Sequence, residues 1–219
     1  MKPPNPVLSP RMPRGGAVAS VACIAALTLL ASCSLSRPAP VKGMFLLEPT
    51  MPAAAATPKP TSVRVGVVTV AAPFRGKTFV YRDGELRYEA DYYDEFFVAP
   101  AIMMSEAAGK ALNAANVFRR VVPFGAAAED GDYVLDGFVS EFYADARAKV
   151  APVALITVTF YLTPTNVAAP GVVWSREYQQ RAAASGTSAV EMAKAWSAAL
   201  TKILADLTQD LAAADLPKP

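Results

Sequence analysis

The sequence predicts an α+β domain, in which a mostly antiparallel sheet carries two main helices packed on one face. β-branched or alternating segments recur along the chain, whereas two segments show the 3–4 spacing of apolar residues that marks an amphipathic helix. The order is strands, a helix, a run of strands and a final helix. This order is typical of α+β architectures, in which helices are segregated to one face of a sheet.

The first element is an export signal. Lys2, Arg11 and Arg14 precede an apolar segment at 17–31, and no acidic residue lies before it. A basic start, a short apolar run and small residues at its end are the layout of a secretory signal. The apolar segment is shorter than the roughly 20 residues that a helix needs to span a bilayer.

The apolar run ends at Leu30-Ala31-Ser32-Cys33, which resembles the lipobox of bacterial lipoproteins. The resemblance implies cleavage before Cys33 and a covalent lipid on its thiol, whose thiolate is a strong nucleophile. Two or more acyl chains anchor a protein stably. Ser34 replaces the Asp that retains such lipoproteins in the inner membrane, so an outer-membrane anchor facing the periplasm is expected. The alternative is an ordinary signal peptide with a chance cysteine.

Composition divides the 219 residues into three parts. We predict a removed signal peptide at 1–32, and a lipidated tether with a Pro/Ala-rich linker at 33–60. A first strand is predicted within the linker, at 44–47. Residues 61–219 hold the alternating patterns and have the length of one ordinary domain, so they are predicted to form a single periplasmic α+β domain.

Strands are predicted where β-branched or alternating residues occur. Residues 62–71 are a β-branched run, and Asp83-Gly84 marks a hairpin turn, because Gly accepts the positive φ of tight turns. The segment at 154–163 alternates strictly, which predicts one core face and one wet face. Further strands are predicted at 117–122, 133–144 and 172–180.

Two segments have helical spacing. Pro100 suits the first turn of a helix, and Met104, Ala108 and Ala111 follow at intervals of four and three. Ser188 and Glu191 have the spacing of a capping box. They precede a long apolar stripe that contains Trp196, Leu200, Ile203 and Leu207. The stripe predicts a closing helix packed on the sheet.

Composition argues against an enzyme and against a nucleic-acid partner. The chain has no histidine, and no cysteine follows Cys33, so the commonest general base and metal ligands are missing. No Gly-rich turn has the Lys-Ser/Thr ending of a phosphate loop. Without the three signal bases, 18 Lys and Arg face 19 acids, so the basic footprint of nucleic-acid binding is absent. We expect no catalytic residue, metal or cofactor.

Aromatic residues crowd one segment after the hairpin signal. Buried core is one interpretation of such a cluster, and a partner surface is the other, because Tyr and Phe are enriched at interfaces. On the second interpretation the candidate partner-binding residues are Tyr88, Tyr92, Tyr93, Phe96 and Phe97.

Several features occur in a recognisable order along the chain. They are the lipobox at Cys33, MFLLEP (44–49), SVRVGVVTVAAPF (62–74), FVYRDGELRYEADYYDEFFVAPA (79–101), NVFRRVV (116–122), DYVLDGFVSEFYAD (132–145) and the closing helix. Together they resemble the auxiliary lipoproteins of ABC-type lipid transport systems that use MCE-domain proteins, the PqiC-like group. This family often has a Trp where the present chain has Phe96-Phe97.

The resemblance implies a non-enzymatic docking subunit in the outer membrane. It would contact a periplasmic MCE-domain protein and, through it, an inner-membrane permease and ATPase. Two alternatives share the anchor and a small α+β domain. One is an outer-membrane lipoprotein that activates a cell-wall synthase, and the other is a periplasmic lipid-binding carrier.

Overall fold

The computed structural model describes residues 41–54, 57–126, 131–148, 150–165 and 171–217. The predicted signal peptide at 1–32, Cys33 and the tether up to residue 40 lie outside the described residues. Residues Val41–Pro219 form one compact unit. The segment from 41 to 60, which composition grouped with the tether, therefore belongs to this unit.

Eight strands and two α-helices make up the described part of the chain. The strands are β1 (Gly43–Phe45), β2 (Lys59–Val70), β3 (Thr78–Arg82), β4 (Tyr88–Phe96), β5 (Phe118–Val122), β6 (Tyr133–Asp145), β7 (Val153–Pro164) and β8 (Trp174–Ala183). The helices are α1 (Pro100–Ala114) and α2 (Ala189–Ala213). The first strand, predicted at 44–47, is thus observed one residue earlier and is shorter.

One sheet contains all eight strands and is organised around β6. β2 pairs with the first half of β6, and β3 pairs with its last two residues. Both strands therefore lie on the same side of β6, one after the other. β5 extends β2, whereas β4 and then β1 extend β3. β7 and β8 follow on the opposite side of β6.

The predicted α+β class is confirmed, and the sheet is mixed rather than purely antiparallel. Among the described residues, β1–β4, β2–β5, β2–β6 and β3–β6 pair in parallel, and β3–β4, β6–β7 and β7–β8 pair antiparallel. Parallel neighbours need long crossover connections, and the segment containing α1 supplies one between β2 and β5. A residue pattern can identify a strand, but it does not show which strand becomes its parallel neighbour after a crossover.

Helix α1 packs closely on β2 because its inner face is made of small residues. A Cβ added to Gly109 would lie 3.4 Å from Val65, so the helix and the strand approach closely there. The pairing of β2 with β6 shifts between Val65 and Val68. Ser105 of α1 accepts the Val68 N–H at 2.9 Å, which satisfies a backbone donor at this irregularity.

Helix α2 covers β7 and β8 and touches α1. Ser188 caps its first turn by accepting the Glu191 N–H at 3.3 Å, as the capping-box spacing predicts. The predicted stripe is confirmed: its four large members, Trp196, Leu200, Ile203 and Leu207, are buried. No helix in the described ranges has the length and apolar character needed to cross a bilayer.

After β1 the chain continues as an extended segment that runs along α2. We call this segment, residues 46–54, the strap. Glu48 donates its N–H to Ser197 Oγ at 3.0 Å, and Thr50 donates its N–H to Thr201 Oγ1 at 2.9 Å. The two acceptors are four residues apart and so lie on the same face of the helix. These bonds fix the Pro-rich strap to the domain.

Candidate partner-binding surface

The predicted hairpin of β3 and β4 is present, but its ladder is interrupted. Thr78 pairs with Glu95 and Val80 pairs with Ala90. Residues 91–94 of β4 therefore face a single residue of β3, which is a large bulge. Bulges bend a strand and redirect its side chains, and this one contains both Tyr92 and Tyr93.

Asp91 stabilises the bulge with its side chain. Its Oδ1 atom accepts the N–H of Tyr93 at 2.8 Å and the N–H of Asp94 at 3.1 Å. This is an Asx-type turn, in which a short carboxylate replaces a lost backbone partner. Burial and the nearby carboxylates of Asp91 and Asp94 raise the pKa of Tyr81 to about 12. The inner side of the bulge is thus acidic and packed, while the two tyrosines point outward.

The two tyrosines form an exposed pair. Tyr92 is 75% exposed, and its ring lies edge-on to the ring of Tyr93 with 5.1 Å between centroids. Lys42 Nζ lies 5.6 Å from the Tyr92 ring centroid and 3.6 Å from Glu95 Oε2. A cation over an aromatic face is attracted to it, so the residue just before β1 contacts the tyrosine pair.

Two further exposed apolar side chains belong to the same strand pair. Met44 of β1 pairs with Glu95, and Phe97 donates its N–H to the carbonyl of Phe45 at 2.8 Å. Met44 and Phe97 are both more than half exposed. We call Met44, Tyr92, Tyr93 and Phe97 the edge patch, because β1 ends this branch of the sheet.

Phe96 was predicted as a partner-binding residue, and this prediction is wrong. The side chain is 1% exposed. Its ring centroid lies 4.6 Å from that of Phe79 and 5.5 Å from that of Trp196. Successive residues of a strand point to opposite faces, so Phe96 turns to the helix side while Phe97 turns away. The prediction failed because it treated the aromatic segment as one cluster, whereas the bulge and the alternation of β4 send its members to different environments.

Tyr88 is partly exposed but belongs to a different group. Its ring lies 5.4 Å from that of Tyr143 and 6.0 Å from that of Phe74. The guanidinium of Arg82 lies 5.5 Å from the Tyr88 ring centroid. Tyr88 therefore packs at the start of β4, on the sheet face opposite to the helices, and is not part of the edge patch.

Sequence analysis missed a cluster of charges around a buried aspartate at the end of β6. Asp145, with a side chain 9% exposed, accepts hydrogen bonds from Arg147 at 2.7 and 2.9 Å and from Arg181 at 3.1 Å. The Arg147 hydrogen bonds, followed by the Arg181 bond, hold the pKa of Asp145 well below its usual range. The Asp-x-Arg spacing was visible in the sequence, whereas Arg181 is brought in by the pairing of β7 with β8.

A groove lies beside the strap on the α1 side of the domain. It has a volume of about 410 Å³. Apolar side chains from the strap and α1, including Leu47, Met51 and Met103, line it together with Glu106 and Lys110. Within the described residues, acidic side chains do not converge in a group of three that could hold a metal ion.

Solved structures share this fold. A protein from Xanthomonas campestris described by the family model DUF330 matches with a TM-score of 0.67 at 18% identity, over 77% of this chain and 94% of that chain. A second structure, of an uncharacterized protein, matches with a TM-score of 0.61 at 14% identity, over 78% and 99% of the two chains. At these identities the likeness concerns the fold alone.

A third structure, the lipoprotein GNA1162 from Neisseria meningitidis, has a TM-score of 0.40 at 13% identity, over 71% of this chain and 100% of that chain. A score this low carries no argument about the present chain. No protein-family model and no curated protein matches the sequence.

Proposed function

We propose that the chain is a non-enzymatic outer-membrane lipoprotein, and that it docks an MCE-type ABC lipid transport system at that membrane. Two observations support this. The sequence ending at Cys33 resembles a lipobox, and the domain shares the fold of a DUF330 protein. The lipid would hold the domain at the membrane, and the domain would bind the periplasmic MCE-domain protein, which reaches the inner-membrane permease and ATPase.

The edge patch is the observation that carries the docking role. Tyrosine offers a large rigid contact area with a polar tip, and aromatic residues dominate the binding energy of many interfaces. Asp91 fixes the backbone of Tyr93 and Asp94 before any partner arrives. Such preorganisation lowers the entropy cost of association. An exposed pair held in this way is poorly explained by the needs of the fold alone.

The anchor and the patch lie close together along the chain. Cys33 and Val41 are eight residues apart, so a fully extended tether spans at most about 28 Å. Lys42, the next residue, already contacts Tyr92. A partner bound at the edge patch would therefore be held within a short distance of the outer membrane.

Co-purification tests this function with the full-length lipidated chain carrying a C-terminal tag. We expect an MCE-domain protein to be retained from a detergent extract of native membranes, and Tyr92→Ala combined with Tyr93→Ala to weaken that retention. Phe138→Ala is the matched control, because Phe138 is also an exposed aromatic residue of the sheet but lies on β6. Cys33→Ser should release the protein from membranes and abolish incorporation of labelled fatty acid.

The alternatives give different results in the same experiment. Retention of a cell-wall synthase instead of an MCE-domain protein would favour the synthase activator. Bound lipid without any retained protein would favour the carrier, for which the apolar groove beside the strap is the supporting observation. Retention unaffected by the tyrosine pair but lost in the control would place the partner surface on the open sheet face.

A further inference from the structure

Three connections lie side by side at one end of the sheet. The β3–β4 turn joins the β6–β7 connection through the Ala146 N–H, which donates to the carbonyl of Arg82 at 2.8 Å. The β8–α2 connection joins it through the Ala184 N–H, which donates to the carbonyl of Pro152 at 2.9 Å. We call the described residues of these three connections (83–87, 146–148 with 150–152, and 184–188) the loop end. Residue 149 is not among those described.

Two of these connections expose an apolar side chain. Leu86 in the β3–β4 turn is 91% exposed, and Val150 in the β6–β7 connection is 74% exposed. Turns usually contain Gly, Pro, Asn, Asp or Ser, so a large aliphatic side chain has no local role there. β3, β6 and β7 are successive neighbours in the sheet, and strands lie about 4.8 Å apart. The two connections that carry these side chains therefore adjoin at one end of the sheet.

The chain enters the domain in the direction of the loop end. β1 runs parallel to β4, with Gly43 beside Asp94. The amino end of β1 therefore points toward the amino end of β4, which leaves the β3–β4 turn. β3 pairs with the last two residues of β6, so β1, β4 and the entry point at Val41 lie in the half of the sheet nearer to the loop end.

We propose that the loop end rests on the phospholipid surface of the membrane that holds the lipid on Cys33. This inference depends on lipidation, as set out under the proposed function, and adds the orientation of the domain. A tether of at most about 28 Å leaves Val41, and the loop end toward which it points, within reach of the bilayer surface. Leu86 and Val150 then enter the boundary between headgroups and acyl chains.

The charged residues of the loop end fit this surface. Arg147 and Arg181 share Asp145, yet their side chains stay 43% and 49% exposed. A cation beside an apolar tip can reach lipid phosphate while its neighbour is buried. Beside Leu86, Arg87 pairs with Asp83, with Nε 3.1 Å from Oδ2, and Glu85 is a further exposed acid in the same turn. The apolar tips, and not a strong net charge, therefore supply the attraction.

The test measures the depth of single residues in a bilayer. Leu86→Cys and Val150→Cys are each introduced into the full lipidated chain, in which the mature protein has no cysteine other than Cys33. An environment-sensitive fluorophore is attached, and the protein is reconstituted in vesicles of phosphatidylethanolamine and phosphatidylglycerol that contain nitroxide-labelled lipid. Val172→Cys is the matched control, because Val172 is 57% exposed just before β8, at the opposite end of the sheet.

We expect a blue shift and nitroxide quenching at positions 86 and 150, and neither effect at position 172. Leu86→Asp combined with a label at 150 should reduce quenching at 150 while the protein stays on the vesicles. The inference is overturned if both tip labels report water while flotation shows the protein on the vesicles, if one tip alone is quenched, or if all three positions are quenched equally. Failure of flotation itself would instead contradict the lipid anchor and the proposed function.

Discussion

Two groups of aromatic side chains on and around β4 lie within a few residues of each other and have opposite environments. Tyr92 is 75% exposed, whereas Phe96 is 1% exposed and packs against Phe79 and Trp196. The bulge at 91–94, fixed by the Asp91 side chain, separates the two groups. The difference shows that local backbone chemistry, and not aromatic content, decides which residues form the core and which remain available to a partner.

The largest expected effect tests the buried group. Phe96→Ala should lower the free energy of unfolding by about 3–5 kcal/mol, because it leaves a cavity among packed rings. Tyr92→Ala should stay within about 0.5 kcal/mol of the parent, as expected for an exposed side chain. Urea unfolding of the two variants measures the difference. Equal losses would show that the two groups are not distinct in the way described.

The buried aromatic group continues into helix α2, on which Phe96 packs. Leu200→Ala and Leu207→Ala should each cost about 2–5 kcal/mol, because both side chains are at most 2% exposed. Lys202→Ala on the exposed face of the same helix is the control. Thermal melts compare the melting temperatures of the three variants with that of the parent. If both leucine variants melt at the parent temperature, the stripe on α2 does not face the core.

A buried charge should give an intermediate effect that depends on pH. Asp145 has a folded-state pKa below its usual value because it accepts hydrogen bonds from Arg147 and Arg181. Its contribution to stability is therefore present above the unfolded-state pKa of about 3.9 and is lost as the pH falls below that value.

Urea unfolding at pH 5 and at pH 2.5 measures this contribution. The parent should lose more stability between the two pH values than Asp145→Asn does. Asp83→Asn is the control, because Asp83 forms an exposed pair with Arg87, and such pairs contribute about 0–1 kcal/mol. If Asp145→Asn has the same pH dependence as the parent, the Asp145 cluster does not stabilise the fold.

A smaller loss of stability than in the core variants is expected at the boundary between the two aromatic groups. Asp91→Ala removes two side-chain hydrogen bonds of the bulge, which are worth about 0.5–1.5 kcal/mol each. Retention of the MCE-domain protein should fall even though the variant stays folded, because the tyrosine pair is no longer preorganised. A variant that keeps full retention would show that the bulge does not present the patch.

The sequence predicted those features that depend on local pattern. Ser188 and Glu191 located the start of α2, and the alternation at 154–163 identified the core face of β7, because both signals act over a few residues. The face of β7 predicted to be wet is not, since Leu155 and Thr157 are also buried. The direction of β2 relative to β6 was not predictable, since it depends on a crossover. Phe96 was assigned to the surface because the aromatic segment was treated as one cluster, whereas the bulge at 91–94 separates Phe96 from the two exposed tyrosines. The contact of Arg181 with Asp145 depends on strand register over 36 residues.

The central claim is that the exposed aromatic group, and not the rest of the sheet, meets the partner. Its most direct test is photo-crosslinking in living cells, with a photoreactive amino acid at position 92 in one strain and at position 138 in another. Both side chains are exposed, so both probes meet the periplasm under the proposed anchoring. The account predicts a crosslink to an MCE-domain protein from position 92 and none from position 138. A crosslink from position 138 alone, with the position-92 protein correctly lipidated and folded, would contradict it.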